Sequence, residues 1–210
     1  MTITTPLPDP LPLFPLQLVL FPDGLLPLKI FEARYLDLVS HCLRRSEPFG
    51  VVSITRGAEA GSNVEGMRIE AVGVLARIDD VDAEQVGILK LRCTGTSRFR
   101  LTQAPAQRPD GLWVASGVER IPDDEPAAVE EQFQPTVEGL KEAAAQLQSQ
   151  GTIPFLPPLR WDDAGWVANR WCELLPVAMS AKQRLMELED PVTRLRLVDE
   201  FLRSRQVLKD

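Results

Sequence analysis

One histidine, three cysteines and one tyrosine are spread over 210 residues. A metal centre built from histidine and cysteine takes three or four such ligands at short spacing. Here only His41 and Cys42 lie together, with Cys93 and Cys172 far away. Adjacent residues on a helix point about 100° apart, so this pair does not meet as a nucleophile and base. Three well-separated cysteines are also no disulfide framework, and they fit free thiols in a reducing cytoplasm. The opening MTITTPLPDP lacks the basic segment and apolar run of a signal peptide. Apolar runs are short and broken by Pro, Gly or charge, so no membrane span is expected.

Positive charge is scarce as well. The net charge is −7. Residues 1–121 hold 13 Lys/Arg against 14 Asp/Glu, and residues 122–210 hold 10 against 16. Neither part offers the field that phosphate backbones or anionic lipid surfaces select, so nucleic acid and membrane are not the expected partners. There is no Gly-x-Ser-x-Gly elbow, no Gly-x-x-x-x-Gly-Lys-Ser/Thr loop and no Gly-x-Gly-x-x-Gly fingerprint. No cofactor and no catalytic residue are expected.

The chain is long enough to bury a core without staples, and its texture changes once, near Ile121. Before that point, short apolar or alternating runs are punctuated by Gly and Pro; after it the spacing is helical. Pro122–Pro126 reads as the linker, giving a β-rich lobe over 1–121 and a helical lobe over 122–210. In the first lobe the proline-studded runs Leu11–Leu18 and Leu25–Ile30 are expected to be edge strands or extended segments. Tyr35, Leu38, Val39, Cys42 and Leu43 form one apolar helical stripe that begins near Glu32 and ends before Pro48. Strands are expected at Phe49–Thr55, Met67–Ile78, Val86–Arg92, Ser97–Leu101 and Leu112–Ile121, with Gly95 at a turn or bulge. Five to seven strands and one helix predict a small curled sheet or barrel.

In the second lobe Ala127–Gln150 reads as a helix bent or split at Pro135. Asp162 or Asp163 caps the next, with Val167, Trp171, Leu174 and Leu175 on one face. Ser180–Gln183 has a capping-box pattern. Asp190-Pro191 starts a last helix that buries Val192, Leu195, Val198 and Leu202. The acidic run Asp79, Asp80, Asp82 and Glu84 lacks the glycine and terminal glutamate of a calcium loop and reads as a solvated hairpin turn. Arg98 and Arg100 alternate about Phe99, which puts the arginines on a solvated face and the ring in the core.

A resemblance runs through this pattern. Leu11–Pro22, Pro27–Tyr35, Phe49-Gly-Val-Val52, Val72–Ile78 and Gly95–Leu101 follow in the order found in the substrate-binding domain of Lon-type ATP-dependent proteases. Leu175-Pro176, Ser180–Gln183, Leu188–Pro191 and Arg194-Leu195 continue it. The resemblance covers roughly residues 10–203 and is weakest over 122–160. It implies an α+β fold, a PUA-like pseudo-barrel with one helix followed by a helical bundle. It implies recognition of unfolded or extended polypeptides, or of a protein partner. The ATPase and Ser–Lys peptidase lie downstream in such proteases, and a chain ending at Asp210 is expected to act without them, as a binding module and not an enzyme.

By the same resemblance, Phe31, Glu32, Arg34 and Tyr35 match a stretch linked to substrate and assembly contacts. Read from the residues alone, Glu32 caps the helix, Arg34 pairs with a carboxylate, and Phe31 and Tyr35 are core. Phe155, Trp161 and Trp166, with Leu156, offer a second candidate at the seam between lobes. There large aromatics either pin the lobes or form an apolar shelf for a peptide. Two other classes stay open. An RNA-binding PUA-like protein needs a basic, aromatic-lined groove. A small hydrolase needs a nucleophile and base within hydrogen-bond reach.

Overall fold

The computed structural model describes residues 7–56 and 66–208. It is a mixed α+β protein whose chain divides into two compact units. The first runs up to Pro22 and from Leu26 to Pro122; the second takes Asp23–Leu25 and continues from Asp123.

Strand β1 (Leu11–Leu16) is buried at every position, as expected for an apolar run covered on both faces. It is not the edge strand its prolines predict. It pairs in parallel with β3 (Phe49–Arg56) over Leu13–Leu16 and antiparallel with β8 (Trp113–Ala115) over Leu11–Leu13. The two partners are staggered. Pro12 therefore lies beyond the β3 register and Pro15 beyond the β8 register, and each ring has one flank where no ladder donor is required. The other proline-bearing strand, β2 (Leu25–Ile30), does lie at an end of the sheet.

The strand order is β2-β6-β5-β3-β1-β8-β7, where β5 is Val72–Gln85, β6 is Ile88–Leu101 and β7 is Ala106–Gln107. Two short strands complete the nine among the described residues: β4 (Arg68–Ile69) on β3 and β9 (Val118–Arg120) on β6. The expected strand Leu112–Ile121 thus breaks at Gly117, φ 70°, into pieces with different partners. The acidic run is not a turn either. Asp79–Gln85 continues β5, and the hairpin turns at Val86-Gly87, with Gly87 at φ 80°. Gly95 lies inside β6 beside a bulge, where Thr96 and Ser97 oppose Leu75 alone. A Cβ on Gly95 would stand 2.3 Å from the Phe21 carbonyl oxygen, so the backbones meet there only because the side chain is absent.

The core of the sheet gathers Leu11, Leu13, Val52, Leu75, Phe99 and Ala115. Phe99 is fully buried as expected, and Arg100 is exposed. Arg98 is not on a solvated face: it is buried, and its guanidinium donates to the Pro122 carbonyl at 3.1 Å. Helix α1 (Ala33–Arg45) buries Tyr35, Leu38, Val39 and Cys42, and Leu43 lies too far round to join them. It ends at Ser46, whose left-handed φ of 53° lets its N–H reach the Cys42 carbonyl.

In the second unit, Pro135 does not bend a helix. A 3-10 turn (Glu131–Phe133) leads into α2 (Gln134–Ser149), and Pro135 occupies its first turn, where a missing N–H costs nothing. α3 (Ala164–Leu174) is capped by Asp163, which accepts from the Trp166 N–H, and it is buried on all sides from Ala164 to Cys172. α4 (Met179–Glu187) starts from Ala178, so Ser180 lies inside the helix and no capping box forms. α5 (Pro191–Ser204) has the expected Asp190 cap and buries Leu195, Val198 and Leu202, with Val192 half-buried. No described helix is long and apolar enough to cross a membrane.

Candidate functional site

The apolar stripe of α1 faces the core, which leaves Arg34, Asp37, His41 and Arg44 on the opposite face at helical spacing. This face forms one wall of a groove of about 500 Å³. The Pro8–Pro12 segment and the stretch from Arg108 to Val114 supply the rest. Its lining balances four arginines (Arg34, Arg44, Arg45, Arg108) against four carboxylates (Asp9, Asp37, Glu47, Asp110). Several are already paired: Arg108 with Asp110 at 2.9 Å, His41 with Glu47 at 3.3 Å, and Arg45 with Glu47 at 3.9 Å. A groove of mixed sign suits a peptide's alternating donors and acceptors better than a phosphate chain.

Arg34 holds this region together. Its guanidinium pairs with Glu32 at 2.7 Å, donates to the Gly111 carbonyl at 2.9 Å and lies 4.7 Å from the Tyr35 ring centroid. Tyr35 in turn stacks on Phe14, with ring centroids 4.0 Å apart. Glu32 stands at the cap position of α1 without using its side chain as a cap, because that carboxylate is committed to Arg34. Three of the four residues singled out here therefore have structural partners. Phe31 is the exception. It is not core: 61% of it is exposed, at the junction of β2 and α1.

His41 faces Glu47, whereas Cys42 turns into the core. Burial, and then the nearby Glu47 carboxylate, push the Cys42 thiol up to about 11. Burial drives Cys93 and Cys172 up to about 12. None of the three is poised as a thiolate. On β5, Asp79 accepts from Arg77 at 2.9 Å and from the Thr94 hydroxyl at 2.5 Å, and Asp80 lies 3.6 Å from Arg92. Among the described residues no group of His, Cys, Asp or Glu is arranged to hold a metal ion.

The second unit brings Phe155, Trp161 and Trp166 into one edge-to-face cluster, with centroid separations of 5.0–6.4 Å. Phe155 and Trp166 are buried and Trp161 is half-buried. Arg170, itself buried, lies 6.0 Å from the Phe155 centroid and 5.7 Å from that of Trp166. It donates to the Asp23 carbonyl at 2.5 Å and to Glu173 at 2.9 Å. Burial pushes the Glu173 carboxyl up to about 7, against the pull of Arg170 and Lys182.

The model of the ATP-dependent protease La (Lon) substrate-binding domain matches residues 10–204. The chain belongs to the Lon substrate-binding domain family. A Lon N-terminal domain protein from Xanthomonas campestris superposes with a TM-score of 0.70 at 34% identity, covering 90% of this chain and 95% of that one. The N-terminal domain of a Mycobacterium avium complex Lon protease has the same fold, with a TM-score of 0.57 at 22% identity over 90% of this chain and 96% of that one. Lon protease 2 of Myxococcus xanthus is 25% identical, and the Lon protease of Anaeromyxobacter dehalogenans is 24% identical, each over 97% of this chain. The chain spans 24% of the length of these two relatives.

Within this Lon-family fold, sequence reasoning missed the groove. Its one signal was the polar stripe at 34, 37, 41 and 44, which by default reads as a solvated face. The opposite wall, from Arg108 to Val114, is brought up by the tertiary fold alone.

Proposed function

We propose that this chain is a non-catalytic recognition module for unfolded or extended polypeptides, an adaptor or chaperone-like factor of protein quality control in a reducing cytoplasm. The observation that carries the reading is the match of a protease substrate-binding family to residues 10–204. In this reading residues 1–121 form a PUA-like pseudo-barrel and residues 122–210 a helical bundle. Phe31 is the apolar anchor. Its neighbours Glu32 and Arg34 are locked to each other and to Gly111, so the ring is held out on a rigid base. Such preorganisation lowers the entropy lost on binding. The charge-balanced groove beside α1 supports a peptide as the ligand, and the buried thiols with raised pKa support a role without cysteine chemistry.

The test is fluorescence anisotropy with reduced, carboxymethylated α-lactalbumin as the unfolded chain and the native protein as control. The wild type binds the unfolded form. Phe31→Ser weakens that binding about tenfold, the effect of losing one anchor side chain. Because Phe31 is exposed, its urea midpoint moves by no more than about 0.5 kcal/mol of stability. A wild type that binds no unfolded chain overturns the reading. RNA that stays bound at moderate salt replaces it with the nucleic-acid alternative.

A further inference from the structure

Strand β5 outlasts its neighbour. β3 pairs with it only through Phe49↔Ala76, Gly50↔Leu75 and Val51↔Val74. β3 begins directly after Pro48, and proline has no N–H to extend a ladder. β5 runs on to Gln85 with β6 as its partner. Among the described residues no strand pairs with its other edge from Arg77 onward. The register shifts between Ile78 and Asp80 and again between Ala83 and Gln85, so Asp80–Ala83 is the regular stretch of this edge and a template for one more strand.

The register identifies what fits there. The Val81 N–H donates to the carboxylate of Asp80 on its own strand, at 3.0 Å. Backbone groups of successive strand residues face opposite sides. Val81 and Ala83 thus present theirs outward, while Asp80 and Asp82 turn theirs toward Arg92 and Lys90 of β6. Side chains alternate between the faces of the sheet. Val81 and Ala83 share one face with Leu89 and Leu91, and the exposed Asp80 and Asp82 share the other with Lys90 and Arg92. An added strand meets an apolar row on one face and carboxylates on the other. A second copy joined antiparallel through this edge about Val81 would set Asp80 against Asp82, and like charges directly opposite are destabilising.

We propose that the outer edge of β5, centred on Asp80–Ala83, accepts an extended peptide of alternating apolar and Lys/Arg residues as an added strand. The inference rests on the polypeptide-binding reading and names the class of chain accepted.

A labelled peptide alternating Val with Lys is titrated by anisotropy against the full chain, beside a Val/Glu peptide and the unfolded α-lactalbumin probe. The Val/Lys peptide binds best. Ala83→Pro removes an outward donor and leaves the β6 ladder intact, and it weakens that peptide about tenfold, the loss of one hydrogen bond. Asp82→Lys, on an exposed side chain, shifts preference toward the Val/Glu peptide and keeps the proposal testable should Ala83→Pro fail to fold. N-methylation of alternate peptide amides abolishes binding. Equal affinity for the Val/Lys and Val/Glu peptides, or tolerance of N-methylation, overturns the edge-strand inference while α-lactalbumin binding persists. Loss of all binding by the wild type overturns the underlying reading instead. Sedimentation showing dimers broken by Ala83→Pro would assign the edge to a second copy and also refute the proposal.

Discussion

Arg194 offers the sharpest test of how the second unit is held. Its side chain is 1% exposed. The guanidinium meets Asp124 with two bonds, at 2.6 and 3.2 Å. It also donates to Asn169 Oδ1 at 3.0 Å, to the Leu185 carbonyl at 2.9 Å and to the Leu188 carbonyl. One side chain on α5 therefore fixes the linker, α3 and the end of α4. Arg194→Ala leaves a cavity, removes the donor from three neutral acceptors and strips a mostly buried carboxylate of its cation. Breaking a buried pair in this way costs about 3–5 kcal/mol. Asp124 keeps 17% of its side chain exposed. Water then recovers part of its solvation, and the expected loss sits near the lower limit, about 3 kcal/mol. For a chain of this length that is a fall in Tm of about 6–12 °C.

Urea titration followed by tryptophan fluorescence measures it. Trp161, Trp166 and Trp171 all belong to the second unit, so the signal reports chiefly on that unit, even if the two units unfold in separate steps. Arg194→Lys keeps the charge without the planar fork and falls between wild type and alanine. In a double-mutant cycle, Arg194→Ala with Asp124→Ala costs clearly less than the two single losses added together. A single-mutant loss below about 0.5 kcal/mol, the scale of an ordinary surface change, would refute the reasoning. So would strict additivity in the cycle.

Glu173 predicts a pH dependence. Its carboxyl rises from the ordinary 4.5 to about 7 in the folded chain, so the folded state holds the proton more tightly than the unfolded one. The contribution is complete below about pH 4.5 and is lost as pH rises toward 7, at no more than about 1.4 kcal/mol per pH unit. A fifth of the side chain stays exposed, at 21%, which keeps the slope under that limit. Glu173→Gln flattens the stability curve in this window, and an unchanged slope would reject the assignment. Gly95→Ala forces a methyl group to within 2.3 Å of the Phe21 carbonyl. It lowers stability by about 1–3 kcal/mol, read from the denaturation midpoint. All three thiols are buried. They react with a thiol reagent only as fast as the fold opens, so labelling accelerates with urea and not with mild alkali.

The elements that were legible in the sequence carry short-range signals. The α1 stripe of Tyr35, Leu38, Val39 and Cys42, and the Asp190-Pro191 start of α5, each lie within a few turns of chain, and both stand where they were expected. Pro135 misled because the same ring that breaks a helix interior is welcome in its first turn. The acid run of β5 misled because four carboxylates resemble a turn until Arg92 and Lys90 come opposite Asp80 and Asp82.

For the candidate site, local sequence singled out Phe31, Glu32, Arg34 and Tyr35, and only the fold separated the exposed ring from its three engaged neighbours. By itself, then, the chain determined the family, the mixture of strands and helices, and the helices with caps and stripes of their own. Tertiary structure decided which charges are buried. Arg98, Arg170 and Arg194 are among the largest fully buried side chains, although arginine is ordinarily a surface residue. A guanidinium can leave water only where acceptors replace it. For Arg34 and Arg194 those acceptors include Gly111 and Asp124, 77 and 70 residues away along the chain.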